Sequence, residues 1–122
     1  MEVEALLDYS GQVDLKYNNL TFFVNTLSTE GNTQMFWISF CGGEKEAEEY
    51  EYTFKIVSAD GKKAGRANYL FTGTRQCVSC EVSHEDMKKK KEALLINKTL
   101  LEKAVKDPKK NRFNIKIIIT KL

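Results

Sequence analysis

The residues best equipped for chemistry sit together in the stretch CVSCEVSH, which carries Cys77, Cys80 and His84. A Cys-x-x-Cys pair followed by a histidine offers most of a structural zinc site, because thiolate and imidazole suit that ion. Such a site needs a fourth ligand, however. Cys41 is the one remaining cysteine, and the chain has no second histidine. Cys77 and Cys80 also fall three apart in a predicted strand, so their side chains point to opposite faces. Val78-Ser79 provides no glycine for the tight turn of a metal knuckle. A redox pair of the thioredoxin kind opens a helix after a strand, and this pair does not. The expectation is free, reduced thiols that pack as small apolar groups, with no metal and no cofactor.

Other routes to catalysis are equally thin. A nucleophile needs a base beside it, and the single histidine lies in Ser83-His84-Glu85-Asp86, which reads as a helix start. Glu44, Glu46, Glu48 and Glu49 stand in a polar run, where nothing removes water from a carboxylate to raise its pKa. No glycine-rich phosphate loop is present. Lys88–Lys91, Lys103, Lys106, Lys109, Lys110 and Arg112 make the last third basic, but lack the interleaved aromatics that stack nucleic-acid bases. The net charge is only +2. The chain is therefore read as neither an enzyme nor a nucleic-acid binder.

The elements that would hold these residues repeat with a period of two. Tyr50, Tyr52, Phe54 and Ile56 alternate with polar neighbours, and Phe113, Ile115, Ile117 and Ile119 do the same near the end. Such alternation marks strands with one buried face. Leu20–Val24 and Met35–Cys41 are denser, as strands covered on both faces are. Strands are predicted near Gln12–Tyr17, Leu20–Thr26, Met35–Cys41, Glu49–Ser58, Arg66–Phe71, Cys77–Glu81, Leu94–Ile96 and Phe113–Lys121. Asp60-Gly61 signals a hairpin turn, Glu30-Gly31-Asn32 and Gly42-Gly43 two further turns, and Asp107-Pro108 a break. Ser83 and Asn97 fit as N-caps of two short helices, the second over Lys98–Val105. The sum is a single domain over residues 1–122: an all-β, antiparallel, eight-stranded sandwich with two short helices. The acidic block Glu44–Glu51 belongs to its solvated outside.

No apolar run is long enough to span a bilayer, and Met1 is not followed by an apolar signal stretch. Three cysteines without paired spacing fit a reducing compartment. The expected location is the cytoplasm or the nucleus, with no membrane partner. The sequons at Asn19 and Asn97 are then chance matches.

Two stretches show a family pattern. In GGEKEAEEYEYTFKI, the residues Gly43, Glu44, Lys45, Ala47, Glu48, Tyr50 and Tyr52 are followed by a basic hairpin into RANYLF. In EALLINKTLLEKAV and NRFNIKIII, the pattern continues through Leu94, Leu95, Ile96, Asn97, Leu100, Leu101, Phe113, Asn114, Ile115 and Ile117. This order resembles the C-terminal substrate-binding domain of the seven-in-absentia (Siah/sina) ubiquitin ligases, over roughly Val13 to Thr120. The resemblance implies a TRAF-like sandwich that binds degradation substrates or adaptors and forms a homodimer. It also implies that extended peptides add to an exposed strand edge. Val13, Asp14, Leu15 and Tyr17 fall on the strand that resembles the groove strand, the least similar part of the chain. The family's RING and zinc fingers precede this domain. No cysteine precedes Cys41 here, so the chain is expected to lack the catalytic part of the ligase. A RING-less TRAF/MATH-like scaffold is the second reading, and a Cys/His metal or redox protein the third.

Overall fold

Alternation along the chain becomes two facing sheets in the computed structural model, which describes residues 1–9, 11–63, 66–90, 93–105 and 112–122. In chain order the elements are β1 (Glu2–Leu7), β2 (Gly11–Tyr17), β3 (Leu20–Thr29), β4 (Thr33–Phe40), α1 (Glu44–Ala47), β5 (Tyr50–Lys63) and β6 (Arg66–Gln76). There follow β7 (Val78–Ser79), α2 (His84–Lys90), β8 (Leu94–Asn97), α3 (Lys98–Glu102) and β9 (Phe113–Lys121). The first sheet has the order β1-β9-β5-β6. The second has β2-β3-β4-β7, with β8 pairing the other end of β4. Together they form an all-β sandwich.

The core lies where the inward faces meet. Phe22 and Val24 of β3, Phe36 and Ile38 of β4, Phe54 and Ile56 of β5, and Ile115 and Ile117 of β9 are all buried. Phe36 bridges the two sheets, its ring centroid 4.9 Å from that of Phe54 and 5.9 Å from that of Phe113. Aromatic pairs at such separations add to the stabilisation from area burial. Burying each large apolar side chain contributes about 1.5–3 kcal/mol, so this row sets the stacking of the sheets.

The turns follow local chemistry. Gly31 (φ 76°) and Asn32 (φ 60°) carry the β3–β4 turn in the left-handed region that glycine and asparagine tolerate. Asn18 (φ 48°) and Asn19 (φ 65°) form a two-residue link between Tyr17 and Leu20, the pattern of a type I′ hairpin. The Asn97 side chain accepts from Thr99 N at 2.7 Å and starts α3. Ser83 Oγ accepts from Asp86 N at 3.1 Å and starts α2.

Several details differ from the sequence reading. The described residues hold nine strands and three helices, not eight and two. The extra strand is β1, whose Val3, Ala5 and Leu7 turn inward while Glu2 and Glu4 face water. The extra helix is one turn, α1, in the acidic block, where buried Ala47 turns the chain toward β5. The pairing is not wholly antiparallel, since β7 runs parallel to β4. Strand character predicted over Cys77–Glu81 contracts to Val78–Ser79, because only Ser39 and Phe40 offer partners. Helix α3 stops at Glu102. Asp60-Gly61 lies inside β5 rather than at its turn. Val57 pairs with Tyr69 and Lys62 with Ala67, so the longer β5 bulges there. The Asp107-Pro108 break and Lys91, Lys106, Lys109 and Lys110 lie outside the described residues.

Candidate functional site

Strand β2 is an edge. Among the described residues its one ladder is to β3, with Val13 opposite Val24, Asp14 opposite Phe23 and Leu15 opposite Phe22. An edge leaves alternate backbone N–H and C=O groups available to another strand. Alternation then splits the four residues picked out on this strand. Leu15 is 7% exposed and belongs to the core, and Val13 packs against it. These two anchor the strand and do not face a partner. Asp14 is exposed on the opposite face, and Tyr17 is 48% exposed at the strand's end. Parity places Leu15 inward, away from a peptide added along the edge.

The chain entering β2 is held by an interior amide. Gln34, fully buried, donates Nε2 to Tyr9 O at 2.6 Å and to Thr26 Oγ1 at 2.7 Å, and accepts from Ser28 Oγ at 2.9 Å. A buried amide is tolerable only when its polar atoms are paired.

Beside this edge, the outward face of the second sheet carries a groove of about 420 Å³. Its floor is a polar row across three strands. Gln12 Nε2 donates to Asn25 Oδ1 at 2.8 Å, and Asn25 Nδ2 donates to Ser39 Oγ at 3.0 Å and to Phe23 O at 3.1 Å. Asn25 is 2% exposed and Ser39 5%. Phe23 lies along the floor and Trp37 rises at the far side, its ring edge-on to His84 with centroids 5.1 Å apart. Trp37 is held in turn by Met35, Met87 and Ala93, a small second core under α2. The groove thus joins paired amides, aromatic surface and an open strand edge. Gln12, Asn25 and Ser39 all lie in predicted strands, but the floor they form together was not anticipated. Its signal was a buried-strand pattern interrupted by polar residues, Asn25 in LTFFVNTL and Ser39 in MFWISF.

The Cys77, Cys80 and His84 constellation does not assemble. Cys77 is buried in the core, and burial pushes its thiol up to about 12. It faces the Tyr52 hydroxyl, itself buried, raised by desolvation and without a well-directed hydrogen bond. Cys80 is exposed and lies on the groove side, next to Cys41. The Cys41 thiol is held above its ordinary pKa by the charge and hydrogen bonding of Cys80. Among the described residues, no three His, Cys, Asp or Glu side chains stand close enough to hold a metal ion.

A second hollow, of about 380 Å³, lies at one end of the sandwich between α1 and β7, lined by Glu44, Glu48, Arg75 and Ser79. Ser79 Oγ donates to Gly42 O at 2.6 Å and Gln76 Nε2 to Glu48 O at 2.7 Å. These bonds close the α1 connection onto the sheet edges. The end of β6, an edge strand of the first sheet, also reaches this hollow through Arg75 and Gln76.

No family model and no curated protein matches the chain. Among the described residues no helix is long and apolar enough to cross a membrane.

Proposed function

We propose that this domain is a protein-interaction module that binds an extended peptide by adding it as a strand to β2. The observation that carries the reading is the unpaired β2 edge beside a groove with a hydrogen-bonded amide floor. Main-chain pairing supplies affinity in this mode, and side-chain pockets on one face supply selectivity. Asp14 orients a basic or amide group of the peptide, and the half-buried Phe23 offers apolar surface to its side chains. The sequence resemblance to Siah-type domains points the same way. In that reading the bound segments come from degradation substrates or adaptors, and the domain forms a C2 homodimer. The dimer rests on the resemblance alone and is tested by light scattering.

The binding reading is tested by selecting peptides on the domain from a displayed random library and mapping the bound peptide by amide chemical shifts. The expected result is perturbation along Gln12–Tyr17 and at Asn25 and Trp37. Reversing Glu44, Glu46 and Glu48 together should leave the selected peptides bound. Perturbation centred on the α1 hollow, with binding lost in that triple variant, would move the site to the acidic segment.

A further inference from the structure

Three cysteines are distributed unequally between core and surface. Cys77 is 3% exposed, while Cys41 and Cys80 are both exposed. These two come from distant parts of the chain and are brought together by the parallel β4–β7 pairing. Ser39 lies beside Val78 and Phe40 beside Ser79. One step further, Cys41 lies beside Cys80, and Cys80 N donates to Phe40 O at 2.9 Å. Both side chains open into the groove. Paired strands lie about 4.7–4.9 Å apart, inside the roughly 4.4–6.8 Å range of Cα separations that a disulfide spans. Parity also fits: Cys41 shares the outward face with Trp37 and Ser39, and both cysteines line one wall.

We propose that Cys41 and Cys80 are a reversible dithiol–disulfide pair, oxidised by low-molecular-weight disulfides such as oxidised glutathione. In the first step one protein thiolate attacks the glutathione disulfide. A protein–glutathione S–S bond forms, the glutathione S–S bond breaks, and one glutathione thiolate leaves and takes a proton. In the second step the neighbouring protein thiolate attacks the protein sulfur of that mixed disulfide and expels the second glutathione. Two electrons pass from the protein pair to the oxidant, and two glutathione thiols are produced. The pair is exposed, so a reductant reaches it as easily as an oxidant. Cys77 takes no part, because its thiol is buried in the core.

The consequence is mechanical. Strand β7 is only Val78–Ser79, and two residue pairs hold it to β4. A covalent bond at the next position ties the entry to α2 onto the end of β4. That entry carries His84, which packs against Trp37 in the groove wall. The disulfide therefore fixes one wall of the groove, whether or not a peptide binds there.

The test is to equilibrate the whole chain with oxidised and reduced glutathione, quench with acid, and map the cysteines by non-reducing peptide mass spectrometry. The expected product is an intramolecular Cys41–Cys80 disulfide, reversed by reductant, with a raised Tm in the oxidised form. Cys77→Ala should form the same bond, which separates the pair from the core thiol. Cys41→Ser and Cys80→Ser should each stop at a glutathione adduct on the remaining surface cysteine, with no rise in Tm. Stable glutathione adducts on both Cys41 and Cys80 of the unsubstituted chain, or a disulfide that includes Cys77 or joins two chains, would overturn the proposal.

Discussion

The outward faces of the two sheets are built differently. On the first sheet the outer side chains meet in exposed cross-strand pairs. Lys116 Nζ lies 2.6 Å from Glu2 Oε1, Thr53 and Thr74 share a 3.0 Å hydrogen bond, and Lys55 stands 5.0 Å above the Tyr69 ring. On the second sheet the central outward positions of β3 and β4 are buried. Trp37 is 2% exposed, and Asn25 and Ser39 form a sequestered polar row. An exposed pair exchanges one hydration shell for another and contributes little. A buried amide or indole has no such exchange, so its partners must be built into the protein. The lesson is that the second sheet's outer face is organised where a solvated face would not need to be. That is where the groove, the β2 edge and the surface thiols all lie.

The largest effect that would break this contrast is expected at Trp37. Trp37→Ala removes the centre of the small core formed with Met35, Met87 and Ala93 and should cost about 3–5 kcal/mol in denaturant unfolding. If the cost is no more than that of an exposed residue, α2 is not packed on this face. A smaller effect is expected at Asn25. Asn25→Ala leaves Ser39 Oγ buried without that donor and should cost about 1–3 kcal/mol. Because the floor is then broken, selected peptides should also bind more weakly to whatever folded protein remains.

The smallest effect is expected on the first sheet. Lys116 and its hydrogen bond lower the pKa of the Glu2 carboxyl. A lowered folded-state pKa gives stability that is present above the unfolded value, near 4.5, and lost as pH falls through the folded value. Both groups are solvated, so Lys116→Ala should leave Tm at neutral pH unchanged. The variant and the parent should also lose stability in parallel on acidification. A clear separation of the two acid curves would show that this face, too, is energetically organised.

Much of the fold was legible because period-two burial is a local property. Phe113–Ile119, Tyr50–Ile56 and the dense Met35–Phe40 run each announce a strand without reference to any other segment. The caps at Ser83 and Asn97 were equally legible, since a side chain reaching its own helix start needs no distant partner. Strand β1 carries the same alternation in Val3, Ala5 and Leu7, and Asn18-Asn19 carries ordinary turn chemistry. What the chain alone could not reveal depends on pairing. Asp60-Gly61 is good turn chemistry, but the β5–β6 ladder runs past it and turns it into a bulge. Leu15 falls on the strand singled out for binding, but register with Phe22 sends it inward. The Cys-x-x-Cys spacing is conspicuous along the sequence, yet the surface neighbours are Cys41 and Cys80. By itself the sequence determined that the chain forms strands and which residues of each strand share a face, because alternation is set by the pleat. Only the tertiary structure decided that β2 is an edge, that Asn25 and Ser39 join into a floor, and that Cys41 meets Cys80. Those facts follow from which strands become neighbours, and neighbour choice is settled by burying all the inward faces at once.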